Sequence, residues 1–143
     1  MMKTNILLIS LMVLMYSCRN ADVAKTEAQT LYSAIHQNDT ATLKIRLTDK
    51  DFYGQLETNY HGLYKDSGGV TGVVKGNILK GTYKFQHYGM EKWHSIPITF
   101  LKKDGKLILG QGDMEIYMGM FYFKKNKPIV YDTTKFVFEK HGL

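Results

Sequence analysis

The segment Ile78 to His87 alternates cleanly, and that alternation sets the class of fold. Leu79, Gly81, Tyr83 and Phe85 fall on one side, with Lys80, Thr82, Lys84 and Gln86 on the other. A period of two, with one apolar and one polar face, is a half-buried β-strand. Gly76-Asn77 separates it from Val70 to Lys75 by two residues, which is a hairpin signal. The same signal recurs in Lys103-Asp104-Gly105-Lys106, where Asp-Gly tolerates the positive φ of a tight turn.

Extending this reading along the chain gives a run of further strands. Leu43 to Leu47 fits either a strand or a helical extension. Phe52 to Tyr64 reads as a long Tyr-rich strand, with Lys65-Asp66-Ser67-Gly68-Gly69 as its turn. Trp93 to Leu101 places Ile96, Ile98 and Phe100 on one face. Leu107 to Gln111, Ile116 to Phe123 (with Gly119 as a break point) and Phe136 to Glu139 complete the set. Pro97 cannot donate to a ladder and belongs at an edge or bulge. Gly72, Gly81 and Gly110 inside strands imply sharp coiling. Seven or eight strands joined by short turns predict an all-β antiparallel meander barrel, closed or nearly closed. Upstream, Val23, Ala24, Ala28, Leu31, Ala34 and Ile35 recur at helical spacing, which predicts a short helix over Asp22–Asn38 in front of the barrel.

The first twenty residues carry a different message. Lys3 supplies a positive n-region, Ile6 to Tyr16 is an apolar run, and Ser17 precedes the single cysteine, Cys18. This is the layout of a secretory signal. The run, about 11 residues, is too short to span a bilayer core as a helix. The order Met15-Tyr16-Ser17-Cys18 resembles the lipobox of bacterial lipoproteins, in which the Cys takes a diacylglycerol and the chain is cut just before it. The resemblance implies a signal over 1–17, a lipidated Cys18 with tether and short helix over 18–41, and a β-barrel domain over 42–143. Two or three acyl chains on Cys18 make a membrane anchor that one chain alone does not. The resemblance to bacterial lipoproteins further implies, by their sorting rules, an outer-membrane position from Arg19 rather than Asp after the Cys. It implies a periplasm-facing position from the lack of an acidic cluster there, with only Asp22 nearby.

Loss of the signal leaves enough chain for one domain and no cysteine for a disulfide, so the fold rests on its core. Aromatics make up 13% of the residues, with ten Tyr and seven Phe, a mix that favours strands. The formal net charge of +6 suits attraction to anionic lipid. With only Arg19 and Arg46 among many lysines, bidentate readout of phosphates or bases is poorly served, and nucleic acid is not an expected partner.

The pattern Gly72-x-Val74-x-Gly76-Asn77-x-Leu79-x-Gly81-x-Tyr83-x-Phe85, followed by Gly89-Met90-Glu91, Ser95 and Ile98-x-Phe100, is similar to small lipoproteins of Bacteroidetes-type bacteria. The likeness runs from about Tyr53 to Phe138 and implies a lipocalin- or calycin-like β domain behind the lipobox cysteine. Its motifs are strand and turn punctuation, so it carries over no catalytic residue.

The remaining polar and soft side chains bear on several chemistries. Asp113 and Glu115 share a strand face, and Glu57, Asp66 and Glu91 lie elsewhere; these read as solvated outer-face charges. His61, His87 and His94 with Met90, Met114, Met118 and Met120 contain soft copper ligands, but no tight ligand spacing, and no metal or cofactor is expected. No Gly-x-Ser-x-Gly nucleophile elbow is present, and Gly68-Gly69 precede a strand rather than the helix a phosphate loop needs. The aromatic surplus remains. Tyr83, Phe85, Trp93 and Tyr122 are the expected binding positions for a small apolar or sugar-like ligand in a barrel mouth. The expected function is a non-enzymatic envelope lipoprotein that binds such a ligand or a protein partner. The alternative is an assembly factor with a solid barrel.

Overall fold

The computed structural model describes residues 28–141. The regular elements among them are all strands: β1 (Thr30–His36), β2 (Asp39–Leu47), β3 (Asp51–Tyr60), β4 (Tyr64–Lys75), β5 (Ile78–His87), β6 (Trp93–Lys103), β7 (Lys106–Gln111), β8 (Met114–Tyr117), β9 (Met120–Phe123), β10 (Val130–Tyr131) and β11 (Val137–Lys140). Strands β1 to β7 follow one another as an antiparallel meander, β11 pairs with β7, and β1 pairs with β11. The sheet therefore closes on itself as an eight-stranded antiparallel barrel, and closure leaves few free edges. Strand β10 lies against the end of β7, and β8–β9 form a separate hairpin. The expected all-β meander barrel is the observed fold.

Inward and outward positions alternate as a period of two requires. Leu43 and Ile45 of β2, Phe52 of β3, Leu79 of β5, Phe100 of β6, Leu107 of β7 and Phe138 of β11 are fully buried. They fill one end of the barrel, where Phe100 meets Phe52 and Phe138 edge-to-face at 6.4 and 5.7 Å between ring centres. Such pairs add to the gain from burial alone. At the other end the inward positions change character to Thr58, Tyr60, Asp66, His87 and His94, and β1 and β2 contribute the small side chains of Ala34 and Ala41.

Two expectations are corrected. The helix does not form over Thr30–His36, which is strand β1; residues 22–27 of the expected helix lie outside the described residues. Leu31, Ala34 and Ile35 satisfy helical spacing, but Tyr32 and Ala34 also satisfy a period of two, and both are buried. Pairing with β2 along its whole length and with β11 beyond decides between the two. The barrel accordingly begins at β1, ahead of residue 42, and β2 is a strand from Asp39. The second correction concerns the turn. Lys65-Asp66-Ser67-Gly68-Gly69 continues β4, and the reversal occurs at His61-Gly62-Leu63, where Gly62 takes φ +69°. Gly68 marks a close approach: a Cβ there would lie 2.0 Å from the Lys84 carbonyl oxygen.

Gly72 and Gly81 face each other across β4 and β5. A Cβ on Gly72 would lie 2.2 Å from the Lys80 carbonyl oxygen and 2.7 Å from the Phe52 ring. The tight coil of this pair depends on both lacking side chains, as expected from the sequence. Gly72→Ala is expected to destabilise the barrel by about 3 kcal/mol or more through overpacking against backbone. Urea unfolding followed by circular dichroism checks this, and an unchanged midpoint would contradict it.

Candidate functional site

The site begins with an incomplete seam. Strand β7 pairs with β6 only from Phe100↔Leu109 to Lys103↔Lys106. Past Leu109 it turns away, and Gly110 and Gln111 pair with Tyr131 and Val130 of β10 instead. Residues 93–99 of β6 therefore keep β5 on one side and have no β7 partner on the other. Pro97 sits in this unpaired half, the edge position its missing N–H demands. Thr99 is held under the β10 strap: its hydroxyl donates to the Leu79 carbonyl at 2.8 Å and meets the Tyr131 hydroxyl at 2.9 Å.

Behind the seam lies a cavity of about 320 Å³. Ala41, Leu56, Ile98 and Phe138 form its inner walls, Thr58 and Tyr60 its polar end. Pro97, Met114 and Phe123 line it on the seam side, so the foot of the β8–β9 hairpin covers the opening. The small side chain of Ala41 leaves room here, since a larger one would fill the space as Phe52 and Phe100 do at the opposite end. No lining residue carries a charge.

A layered set of rings and polar groups backs the cavity. Tyr83 and Phe85 stack at 4.6 Å, and Phe85 stacks on His94 at 5.4 Å. The Tyr83 hydroxyl donates to the Leu56 carbonyl at 3.1 Å. Asp66, only 5% exposed, is paired with His87 Nδ1, and Tyr60 hydrogen-bonds to Asp66. His94 lies 4.8 Å from the His87 ring, and its buried Nε2 has no hydrogen-bond partner among the described residues. Burial, then the Asp66 charge and the hydrogen bond to it, push the Tyr60 phenol up to about 12. Burial first and Asp66 second also raise Tyr83, and burial raises Tyr32. Each of these phenols thereby keeps its proton further into the alkaline range than a free tyrosine does.

The four expected binding residues separate. Tyr83 lines the cavity, and Phe85 packs behind it. Trp93 points outward, 54% exposed, with the Lys84 ammonium over its ring at 5.4 Å. Tyr122 sits on the β8–β9 hairpin and lines a second, external groove of about 580 Å³, across from Lys80 and Pro97. Trp93 and Tyr122 therefore do not join Tyr83 in one pocket. The interior polar groups Thr58, Tyr60 and Asp66 were the ones missed. Asp66 is not a solvated outer-face charge, whereas Glu57, Glu91, Asp113 and Glu115 are exposed. Counting back in twos from Val74 and Val70 reaches Asp66, so an inward position was readable once β4 was given its full length. His61 pairs with Asp39 at 2.8 Å, apart from His87 and His94, and no group of three or more His, Cys, Asp or Glu gathers as metal ligands would among the described residues. The chain matches no known family model, no curated protein and no solved structure.

Because Tyr60 and Tyr83 hold their protons more tightly folded than unfolded, their contribution to stability is complete below about pH 10, the ordinary Tyr value. It is lost as pH rises through about 12, the value for folded Tyr60. Alkaline titration at the phenolate absorption band is expected to show the exposed tyrosines ionising first. A late step should coincide with unfolding and shrink in Tyr60→Phe. A single step near the ordinary value, with the fold intact, would contradict the buried arrangement.

Proposed function

We propose that this protein is a non-enzymatic binding module of the bacterial cell envelope, anchored through lipid on Cys18, that takes a small, largely apolar ligand into its barrel. The observation that carries this reading is the cavity of about 320 Å³, with apolar walls, no charged lining residue and a Thr58–Tyr60 end. Its volume is at the small end of the range for ligand pockets, about 300–1,000 Å³. The chemistry of the polar end narrows the ligand. Tyr60 directs its proton to Asp66, which leaves its oxygen lone pairs to accept, while the Asp66 charge behind it repels an anionic head group. A neutral, hydroxyl-bearing apolar molecule fits better than a fatty-acid carboxylate. The cavity weighs against the alternative of an assembly factor with a solid barrel. Cys18 and the signal lie outside the described residues; the anchor rests on the lipobox-like sequence alone.

Residues 24–143 hold every strand of the barrel and suit a direct test. Native mass spectrometry of this form is expected to show a bound small molecule that is released on denaturation. Ile96→Trp, which places a larger side chain beside the cavity, should lose the adduct and keep the β-sheet circular dichroism spectrum. A bare mass, together with no saturable binding of medium-chain alcohols, would overturn the ligand reading.

A further inference from the structure

The β8–β9 hairpin is the one strand pair among the described residues that stands outside the barrel sheet. Over 114–123 it reads Met-Glu-Ile-Tyr-Met-Gly-Met-Phe-Tyr-Phe, with Glu115 its only charge. Cross-strand pairs Met114↔Phe123, Glu115↔Tyr122, Ile116↔Phe121 and Tyr117↔Met120 place apolar side chains on both faces. The turn at Met118-Gly119 takes positive φ at both residues, 49° and 77°, and presents Met118 at the tip. Ile116 is 65% exposed, Tyr117 67% and Met118 80%. A two-stranded hairpin is marginal in water on its own, and a projecting apolar patch marks an interaction surface.

The surroundings indicate what covers it. Lys124, Lys125 and Lys127 follow the hairpin directly, and Lys80 of β5 faces Ile116 and Tyr117 across the external groove that Lys125 also lines. The hairpin joins an exposed apolar tip to lysines at its foot, a pairing of charge and apolar surface that complements an anionic layer with an apolar interior. Aliphatic and aromatic side chains at a tip, with lysines set behind to reach head-group phosphates, are the arrangement that suits a lipid interface. We propose that the β8–β9 hairpin docks on an anionic bilayer, with Ile116, Tyr117, Met118 and Met120 entering the boundary between head groups and acyl chains and Lys124, Lys125 and Lys127 meeting the phosphates. The proposal stands apart from both the cavity reading and the lipid on Cys18.

The test reads the hairpin itself, so that attachment through the apolar run near the N-terminus does not interfere. In the full chain carrying Cys18→Ser, Met118→Cys supplies one attachment point for an environment-sensitive fluorophore, and Asn77→Cys, in the β4–β5 turn, supplies the control. With vesicles of phosphatidylcholine and phosphatidylglycerol, the label at 118 is expected to shift to the blue and be quenched by nitroxides on the acyl chains. The label at 77 should not change. Replacing Lys124, Lys125 and Lys127 with Gln should lower the inserted fraction about tenfold, as should raised salt. Both labelled sites are exposed, and unchanged thermal unfolding confirms that the barrel is intact. A label at 118 that remains as wet as that at 77 on these vesicles overturns the proposal. The same label shielded only by added envelope protein also overturns it, in favour of a protein partner.

Discussion

The short pairing of β7 with β6 is the constraint from which the rest of this structure follows. Four residue pairs, Phe100↔Leu109 to Lys103↔Lys106, close the barrel at its Phe-filled end. β11 completes the circuit to β1. Beyond Leu109 the chain leaves the ladder, and β6 is left with an open edge over residues 93–99. Open edges invite pairing with other chains. Here Pro97 removes a donor from that edge, and Gly112 to Phe123 lie across it with Met114 and Phe123 turned to the cavity. Had β7 continued along β6, the seam and the entrance behind it would not exist.

The two ends of the barrel differ in what fills them. At one end Phe52, Phe100 and Phe138 pack edge-to-face among fully buried aliphatic residues, and that cluster supplies a core without any disulfide. At the other end, Ala41 gives up packing, and hydrogen-bonded groups line or back the space: Tyr83 to Leu56, Tyr60 to Asp66, Asp66 to His87. Buried polar groups are costly unless satisfied, and the unpartnered His94 Nε2 is an exception beside this end. The proposed ligand site and the proposed membrane hairpin meet at Met114 and Phe123, which belong to the hairpin and line the cavity.

Strands with one wet and one dry face were legible in the sequence. Ile78–His87 was read with its observed limits, and Gly76-Asn77 and Asp104-Gly105 were read as turns because their chemistry demands it. β1 was not legible, because Leu31, Ala34 and Ile35 satisfy helical spacing while Tyr32 and Ala34 satisfy a period of two, and only pairing with β2 and β11 chooses. Gly68-Gly69 read as a turn because glycine serves reversals and close strand contacts alike. For the site, Tyr83 and Phe85 followed from alternation. Trp93 and Tyr122 lie away from the cavity that Tyr83 lines; aromatic content says nothing about which side of a sheet a ring takes. The seam was hidden as well, since where a strand stops pairing is decided by its neighbours and not by its own sequence.

On the proposed reading, the space behind the seam admits a ligand while the Phe-filled end does not. Methyl-resolved NMR of the 24–143 form during titration with a medium-chain alcohol distinguishes the two ends. Saturable shifts are expected at Leu56, Ile96, Ile98 and Met114, with Leu43, Ile45 and Leu79 unmoved. Shifts confined to Met118 and Met120 at the hairpin tip, or no saturable shift at all, would contradict it.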